Sequence, residues 1–138
     1  MRGSGKIMVV SSVAAFSPPS SIQALYGPIK TFMNRFSDSI NINYNHKGIT
    51  STAVCPGFTV TGFHTASGVQ DEMDRVPKFM KFSAKRVAYE AVEATLSGKS
   101  LCVPTKTYKI LVFILKHVPE SVMSIFGKGL APGRYDKK

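Results

Sequence analysis

The chain has 138 residues and a mass of 15.0 kDa, enough for one small domain. Hydrophobic residues make up 43% and charged residues 19%, which excludes wholesale disorder, and two cysteines, Cys55 and Cys102, exclude a disulfide-framework mini-protein. The net charge of +10 points to anionic partners: nucleic acid, lipid head groups or a phosphate-bearing cofactor. The excess is concentrated in residues 99–138, with eight basic and two acidic groups, whereas residues 51–98 are neutral. No four basic residues are consecutive and no nucleic-acid module is recognisable, so nucleic-acid binding is not expected.

Residues 6–10, Lys-Ile-Met-Val-Val, form a short continuous apolar run, as in a parallel strand buried on both faces. Arg2 and Lys6 ahead of this run give it a faint likeness to a signal peptide. Ser11 and Ser12 interrupt that pattern and Pro18-Pro19 follow it, so a buried strand is the expectation. No stretch of 18 apolar residues exists, and no spanning helix is expected. A reducing cytoplasm with both thiols free is the expected setting.

From Gln23 to about Asn45 the pattern is helical, with Leu25, Ile29, Phe32, Met33, Phe36 and Ile40 forming one stripe expected to be buried. Pro28 belongs in the first turn. Gly48–Cys55 is β-branched and reads as a second strand, stopped by Pro56-Gly57. Residues 58–82 read as a loop with one or two short helices. Ser83 is an N-cap candidate for a helix over Ala84–Leu96, with Val87, Ala88, Ala91, Val92 and Leu96 as its apolar face and Gly98 as its stop. Leu101–Val103 reads as a third strand, closed by Pro104, with helical stretches near Thr107–His117 and Pro119–Phe126 after it.

Strand, helix, strand, helix, strand is the pattern of a parallel α/β sheet. With three strands alone the first would be an exposed apolar edge, so this architecture reads as truncated. Ser11-Ser12 ends the first strand, Tyr26 and Lys30 lie four apart on the next helix, and Pro56-Gly57 ends the second strand. In open α/β sheets ligands bind at the carboxyl ends of strands, and these features converge there. A free tyrosine, with a pKa of about 10, is a poor base at neutral pH, and an ammonium group about one helical turn away favours the phenolate. Tyr26 could then exchange a proton with a carbonyl or alcohol oxygen, with a serine hydroxyl bonded to the same oxygen. Alone, Y-x-x-x-K more often describes an ordinary helix surface, and Pro-Gly a plain turn; their combination points to a site.

On these residues the chain resembles the short-chain dehydrogenase/reductase family. Gly5-Lys6-Ile7-Met8-Val9-Val10-Ser11-Ser12-Val13-Ala14-Ala15-Phe16 is similar to its catalytic-serine strand, Tyr26-Gly27-Pro28-Ile29-Lys30 to its Y-x-x-x-K motif, and Pro56-Gly57-Phe58-Thr59-Val60-Thr61 to its P-G-x-x-x-T segment. Ser83–Val103 resembles its last helix and strand, so the likeness covers residues 4–104. The resemblance implies a Rossmann-like α/β fold, here its last three strands with flanking helices and a helical C-terminal extension. It implies an NAD(P)-dependent oxidoreductase interconverting an alcohol and a carbonyl, with a small-molecule substrate. Ser12 would orient the substrate oxygen, Tyr26 would be the general acid/base, and Lys30 would lower the tyrosine pKa and bind the nicotinamide ribose. Pro56, Gly57, Thr59 and Thr61 would hold the carboxamide, Thr59 through its backbone and Thr61 through its hydroxyl.

The family's Gly-rich T-G-x-x-x-G-x-G loop and N-A-G motif do not occur in this sequence, Pro28 and Ile29 replace the usual small residue and Ser/Thr, and Ser12 lies fourteen residues before Tyr26, one more than is usual. The chain is therefore expected to be the carboxyl-terminal half of such an enzyme. Residues 1–104 would carry the catalytic motif and residues 105–138 a basic helical extension. It should bind NAD or NADP weakly or not at all alone, and the two cannot be told apart from nicotinamide-side residues. His46, His64 and His117 are scattered away from the cysteines, so no metal site is expected. Lys106–Phe126, apolar nearly all round over Ile110–Leu115 with flanking Lys106, Lys109, Lys116 and His117, reads as a helix covering the cleft or a partner, or as a contact with an anionic membrane. A homo-oligomer through the helix bearing Tyr26 is a further partner reading. The alternative to an enzyme is a non-catalytic protein- or membrane-interaction module.

Overall fold

A computed structural model describes residues 3–18, 24–61, 76–119 and 122. Strand β1 (Gly5–Val10) leads through a short turn of 3-10 helix (Val13–Phe16) toward helix α1 (Tyr26–Tyr44). Strand β2 (Ile49–Val54) and the short β3 (Thr59–Val60) follow, then β4 (Phe82–Ser83), α2 (Ala84–Leu96), β5 (Leu101–Cys102) and α3 (Lys106–His117). Among the described residues β1, β2 and β5 form a parallel sheet in the order β1-β2-β5, with Gly5 opposite Ile49 and Val54 opposite Cys102. The α/β architecture expected from the sequence is therefore present. The 119–126 helical stretch falls mostly outside the described residues, as does Gln23.

Among the described residues β1 is the edge expected of a three-stranded sheet: Ile7, Met8 and Val10 are exposed, so the burial on both faces read from residues 6–10 is not found. Helix α2 begins where expected, with the Ser83 hydroxyl accepting from the Arg86 N–H. It ends in a Schellman motif: Gly98 N–H donates to Thr95 O, Lys99 N–H donates to Ala94 O, and Gly98 has φ 72°.

Three further expectations need correction. The apolar stripe of α1 faces outward: Leu25 is 73% and Phe32 68% exposed, with Ile29 and Phe36 also exposed. The helix instead docks on β2 through polar groups, the buried Ser37 hydroxyl bonding that of Ser51 at 2.8 Å. On α2 the buried residues are Val87, Ala91, Ala94 and Thr95, while Ala88, Val92 and Leu96 are exposed. The small side chains face the sheet because the α2 backbone lies close to it, as shown by the Cys102 thiol against Glu90 O. Within residues 58–61 and 76–83 a 3-10 turn at Lys78–Met80 matches a short helix expected there, but the sequence pattern does not predict the two strands: β3 and β4 pair in parallel, Thr59 opposite Phe82.

Among the described residues the core has two parts. Val54, Ala91, Ala94 and Cys102 pack beneath α2. Cys55, Val103, Tyr108 and Val112 pack at the carboxyl ends of the strands, with Val13, Phe16, Phe58, Met80 and Phe82 around them. Both cysteines are buried and unpaired, as expected.

Candidate active site

Parallel pairing carries β1, β2 and β5 to one carboxyl edge. Ser11 N–H donates to Val54 O, Val13 N–H to Pro56 O and Cys55 N–H to Cys102 O, so the ladder continues past the strands into the residues of interest. Ser11 and Ser12 are both buried but do different work. The Ser11 hydroxyl donates to Lys30 O at 2.9 Å and fastens β1 to α1. The Ser12 hydroxyl accepts from Ala14 N–H at 3.1 Å, capping the 3-10 turn, which leaves its proton to donate elsewhere.

Tyr26 opens α1, with Pro28 in the first turn, where its missing N–H leaves no helix bond unmade. One turn on, the Lys30 ammonium lies over the Tyr26 ring, 5.6 Å from its centre. Lys30 Nζ donates to Val10 O at 3.1 Å and lies 3.7 Å from Met33 Sδ. A carbonyl at the end of β1 thus directs the lysine back toward the tyrosine. Thr31, bonding both Ala15 O and Gly27 O, ties the same turn to the 3-10 segment.

The loop after β2 is built into the fold. The Thr59 hydroxyl donates to Gly57 O, and Phe82 N–H donates to Phe58 O. Phe58 N–H donates at 2.9 Å to the hydroxyl of Tyr108, which donates in turn to Met80 O at 2.8 Å. Burial raises the Tyr108 pKa, an effect opposed by the Phe58 bond. Beneath the loop, burial pushes the Cys55 thiol up, against lowering bonds with Ser11 and Asn34.

The motif residues therefore gather on three neighbouring segments of one edge: Ser12 after β1, Tyr26 and Lys30 at the start of α1, and Pro56, Gly57, Thr59 and Thr61 after β2. Tyr108 and Asn34 were missed by sequence reasoning. Tyr108 had a signal: a tyrosine on the apolar face of a helix, once buried, needs a partner for its hydroxyl. On α3, Tyr108 and Val112 are buried while Ile110, Phe113 and Ile114 are exposed, so the helix is apolar on both faces but buries one. No described helix is long and apolar enough to cross a membrane. His64 lies outside the described residues.

A family model described as short chain dehydrogenase matches residues 1–72, from the chain start past the loop after β2. The chain is 27% identical over 137 residues to a probable oxidoreductase, EphD, of Mycobacterium tuberculosis (strain ATCC 25618 / H37Rv), covering 89% of this chain and 23% of that protein. The same figures hold for EphD of Mycobacterium bovis. Among solved structures, a short chain dehydrogenase from Burkholderia cenocepacia J2315 in complex with NADP matches with a TM-score of 0.66 at 15% identity, over 94% of this chain and 48% of that one. A short-chain dehydrogenase from Sphingobium yanoikuyae in complex with NADPH matches with a TM-score of 0.65 at 22% identity and the same coverages, 94% and 48%. The chain thus spans 23% of the length of these curated relatives and 48% of these solved structures.

Proposed function

Because the chain belongs to the short chain dehydrogenase family, we propose that it carries the catalytic side of an NAD- or NADP-dependent oxidoreductase interconverting an alcohol and a carbonyl. The observation that carries this reading is the placement of the Lys30 ammonium over the Tyr26 ring, held by Val10 O, beside the Ser12 turn. In carbonyl reduction the Tyr26 phenol gives its proton to the substrate oxygen, and in alcohol oxidation it takes one back. The Ser12 hydroxyl, its lone pair engaged by Ala14 N–H, donates its own proton to that oxygen and orients it. Lys30 stabilises negative charge developing on the phenolic oxygen.

The residues present fit the nicotinamide end of the cofactor. Lys30 has three donor positions, of which Val10 O takes one and Met33 Sδ a second, so one donor remains for a ribose hydroxyl. Pro56, Gly57, Thr59 and Thr61 form the carboxamide side; in a parallel ladder where Phe82 N–H meets Phe58 O, alternation turns the Thr59 amide away from β4. When bound, the cofactor supplies the hydride chemistry. The pyrophosphate and adenosine would need the Gly-rich motif, which does not occur in this sequence. The chain alone would accordingly bind whole NAD or NADP weakly or not at all, and residues 1–104 would act as half of a cofactor domain.

Nicotinamide mononucleotide is the matching probe. Titrated into isotope-labelled protein, it should shift the amides of Lys30, Thr59 and Thr61, with AMP at equal concentration leaving them in place. Equal shifts from AMP, or none from the mononucleotide, would reject the reading. In the complete enzyme, Tyr26→Phe should lower turnover by about 10²–10⁴-fold, the usual worth of a general acid/base.

A second reading, an interaction module, rests on the outward faces of α1 and α3. Leu25, Ile29, Phe32 and Phe36 suit a second copy of the chain, and Phe32 and Phe36 already stack at 6.2 Å. Exposed Ile110, Phe113 and Ile114, on a helix with Lys106, Lys109 and Lys116 and no acidic residue, suit an anionic lipid surface. Co-sedimentation with anionic liposomes at low salt tests the latter; protein left in the supernatant removes it. Unchanged activity in Tyr26→Phe would favour the module. The two buried free thiols fit a reducing cytoplasm.

A further inference from the structure

We propose that Tyr108 is a positioning residue for the loop after β2, so that helix α3 sets the affinity for the nicotinamide end of the cofactor. This rests on the reading of Pro56–Thr61 as the nicotinamide loop. Tyr108 is 1% exposed, and its hydroxyl is used in both directions, accepting from Phe58 N–H and donating to Met80 O. Those two backbone groups precede the two strands of the β3–β4 ladder, so one phenol fixes the separation of both. The ring meets Phe82 edge to face at 5.9 Å. It also fills the space beside Gly57: a Cβ at that position would lie inside the van der Waals envelope of the Tyr108 ring carbons. The glycine of the Pro-Gly turn is thus required by a residue more than fifty positions further along the chain, and the turn is shaped around the tyrosine.

Removing only the hydroxyl isolates this role. Phenylalanine keeps the ring against Gly57 and Phe82 but offers Phe58 N–H no acceptor and Met80 O no donor. A lost hydrogen bond of ordinary strength corresponds to about a tenfold change in an equilibrium constant. In Tyr108→Phe the Phe58 amide should exchange with solvent about tenfold faster, and nicotinamide mononucleotide should bind about five- to tenfold more weakly. The mononucleotide-induced shift at Thr59 should shrink, while that at Lys30, on α1, persists at saturation. A merely structural role would lower the melting temperature and leave the affinity of the folded protein unchanged. In the complete enzyme the KM for the cofactor should rise with kcat nearly constant, the pattern of lost ground-state binding.

Wild-type binding that Tyr108→Phe leaves unaltered would overturn this inference and spare the proposed function. No binding of the mononucleotide by the wild type would reject both. Should Tyr108→Phe not fold, the wild type still decides: its Phe58 amide must be protected before any ligand is added, and rapid exchange there would overturn the proposal.

Discussion

Asn41 completes the backbone hydrogen bonding of Ser51. Its amide nitrogen donates to Ser51 O and its amide oxygen accepts from Ser51 N–H, both at 2.7 Å. Ala53 and Cys55 of the same alternating set bond residues of the β5 segment, but β5 is too short to reach Ser51. The side chain of α1 therefore stands in for the missing strand, and the Ser37–Ser51 hydroxyl pair lies beside it.

Asn41→Ala would leave a buried N–H and C=O without partners, since Ser51 is fully buried. The expected cost is about 2–6 kcal/mol, from about 1–3 kcal/mol for each of the two unsatisfied groups. Urea denaturation should show it as a lower midpoint with an unchanged slope. Asn43→Ala, which removes only an exposed bond to Ser39 O, is the control and should cost under about 1 kcal/mol. Equal effects from the two variants would refute the strand-replacement role.

This contact explains what the sequence could and could not disclose. The strands followed from apolar runs and their breakers: Ala53–Cys55 is buried, as such a run suggests, whereas Ile7–Val10 carries the same local mark and lies largely exposed at the sheet edge. The motif residues were legible for the same reason: a turn residue and a helical spacing are local. The face of α1 was not legible. Its apolar stripe suggested the core side, yet Ser37 and Asn41 win that side because β2 there presents polar groups that need partners. Tyr108 was illegible as a site residue because its partners Phe58 and Met80 are distant in sequence.

Thr105 holds a backbone conformation that suits glycine, with φ 70° and ψ 144°. Its N–H donates to Glu90 Oε2 at 2.9 Å, and its buried hydroxyl has no hydrogen-bond partner among the described residues. Burial would raise the Glu90 pKa, but the Thr105 N–H, Arg86 and Lys109 together hold it below its ordinary value. Thr105→Gly keeps the N–H, relieves the strain and removes the orphan hydroxyl. It should raise stability by about 1 kcal/mol, read as a higher melting temperature. A loss of stability would mean that the threonine methyl contributes more packing than the strain costs.

The Cys55 thiol is fully buried, and that burial raises its pKa above the ordinary 9.0 despite bonds to Ser11 and Asn34. Cys102 is also raised, chiefly by burial and then by the Glu90 charge. A raised folded-state pKa means that the unfolded thiol ionises first as pH climbs. The stabilisation is complete below the unfolded value and is lost as pH rises through the folded one. Urea midpoints should therefore fall above about pH 9, and less steeply in Cys55→Ala when each is referred to its own neutral-pH value. Thiol reagents at neutral pH should label both cysteines only on unfolding; labelling of Cys55 in the native state would contradict its burial.

Lys30 separates structural from catalytic contributions. Its bond to Val10 O is exposed, so Lys30→Met, which keeps the stem beside Met33, should cost about 0.5–1.5 kcal/mol of stability. Were that its whole role, the folded fraction would turn over normally. As the charge beside Tyr26 and a donor to the ribose, it should instead lower kcat/KM in the complete enzyme by about a hundredfold or more, near 3 kcal/mol of transition-state stabilisation. Lys30→Arg keeps the charge but spreads it over a planar fork that cannot sit as a point charge over the ring, so recovery should be partial. Activity that tracks only the folded fraction across both variants would remove Lys30 from the site.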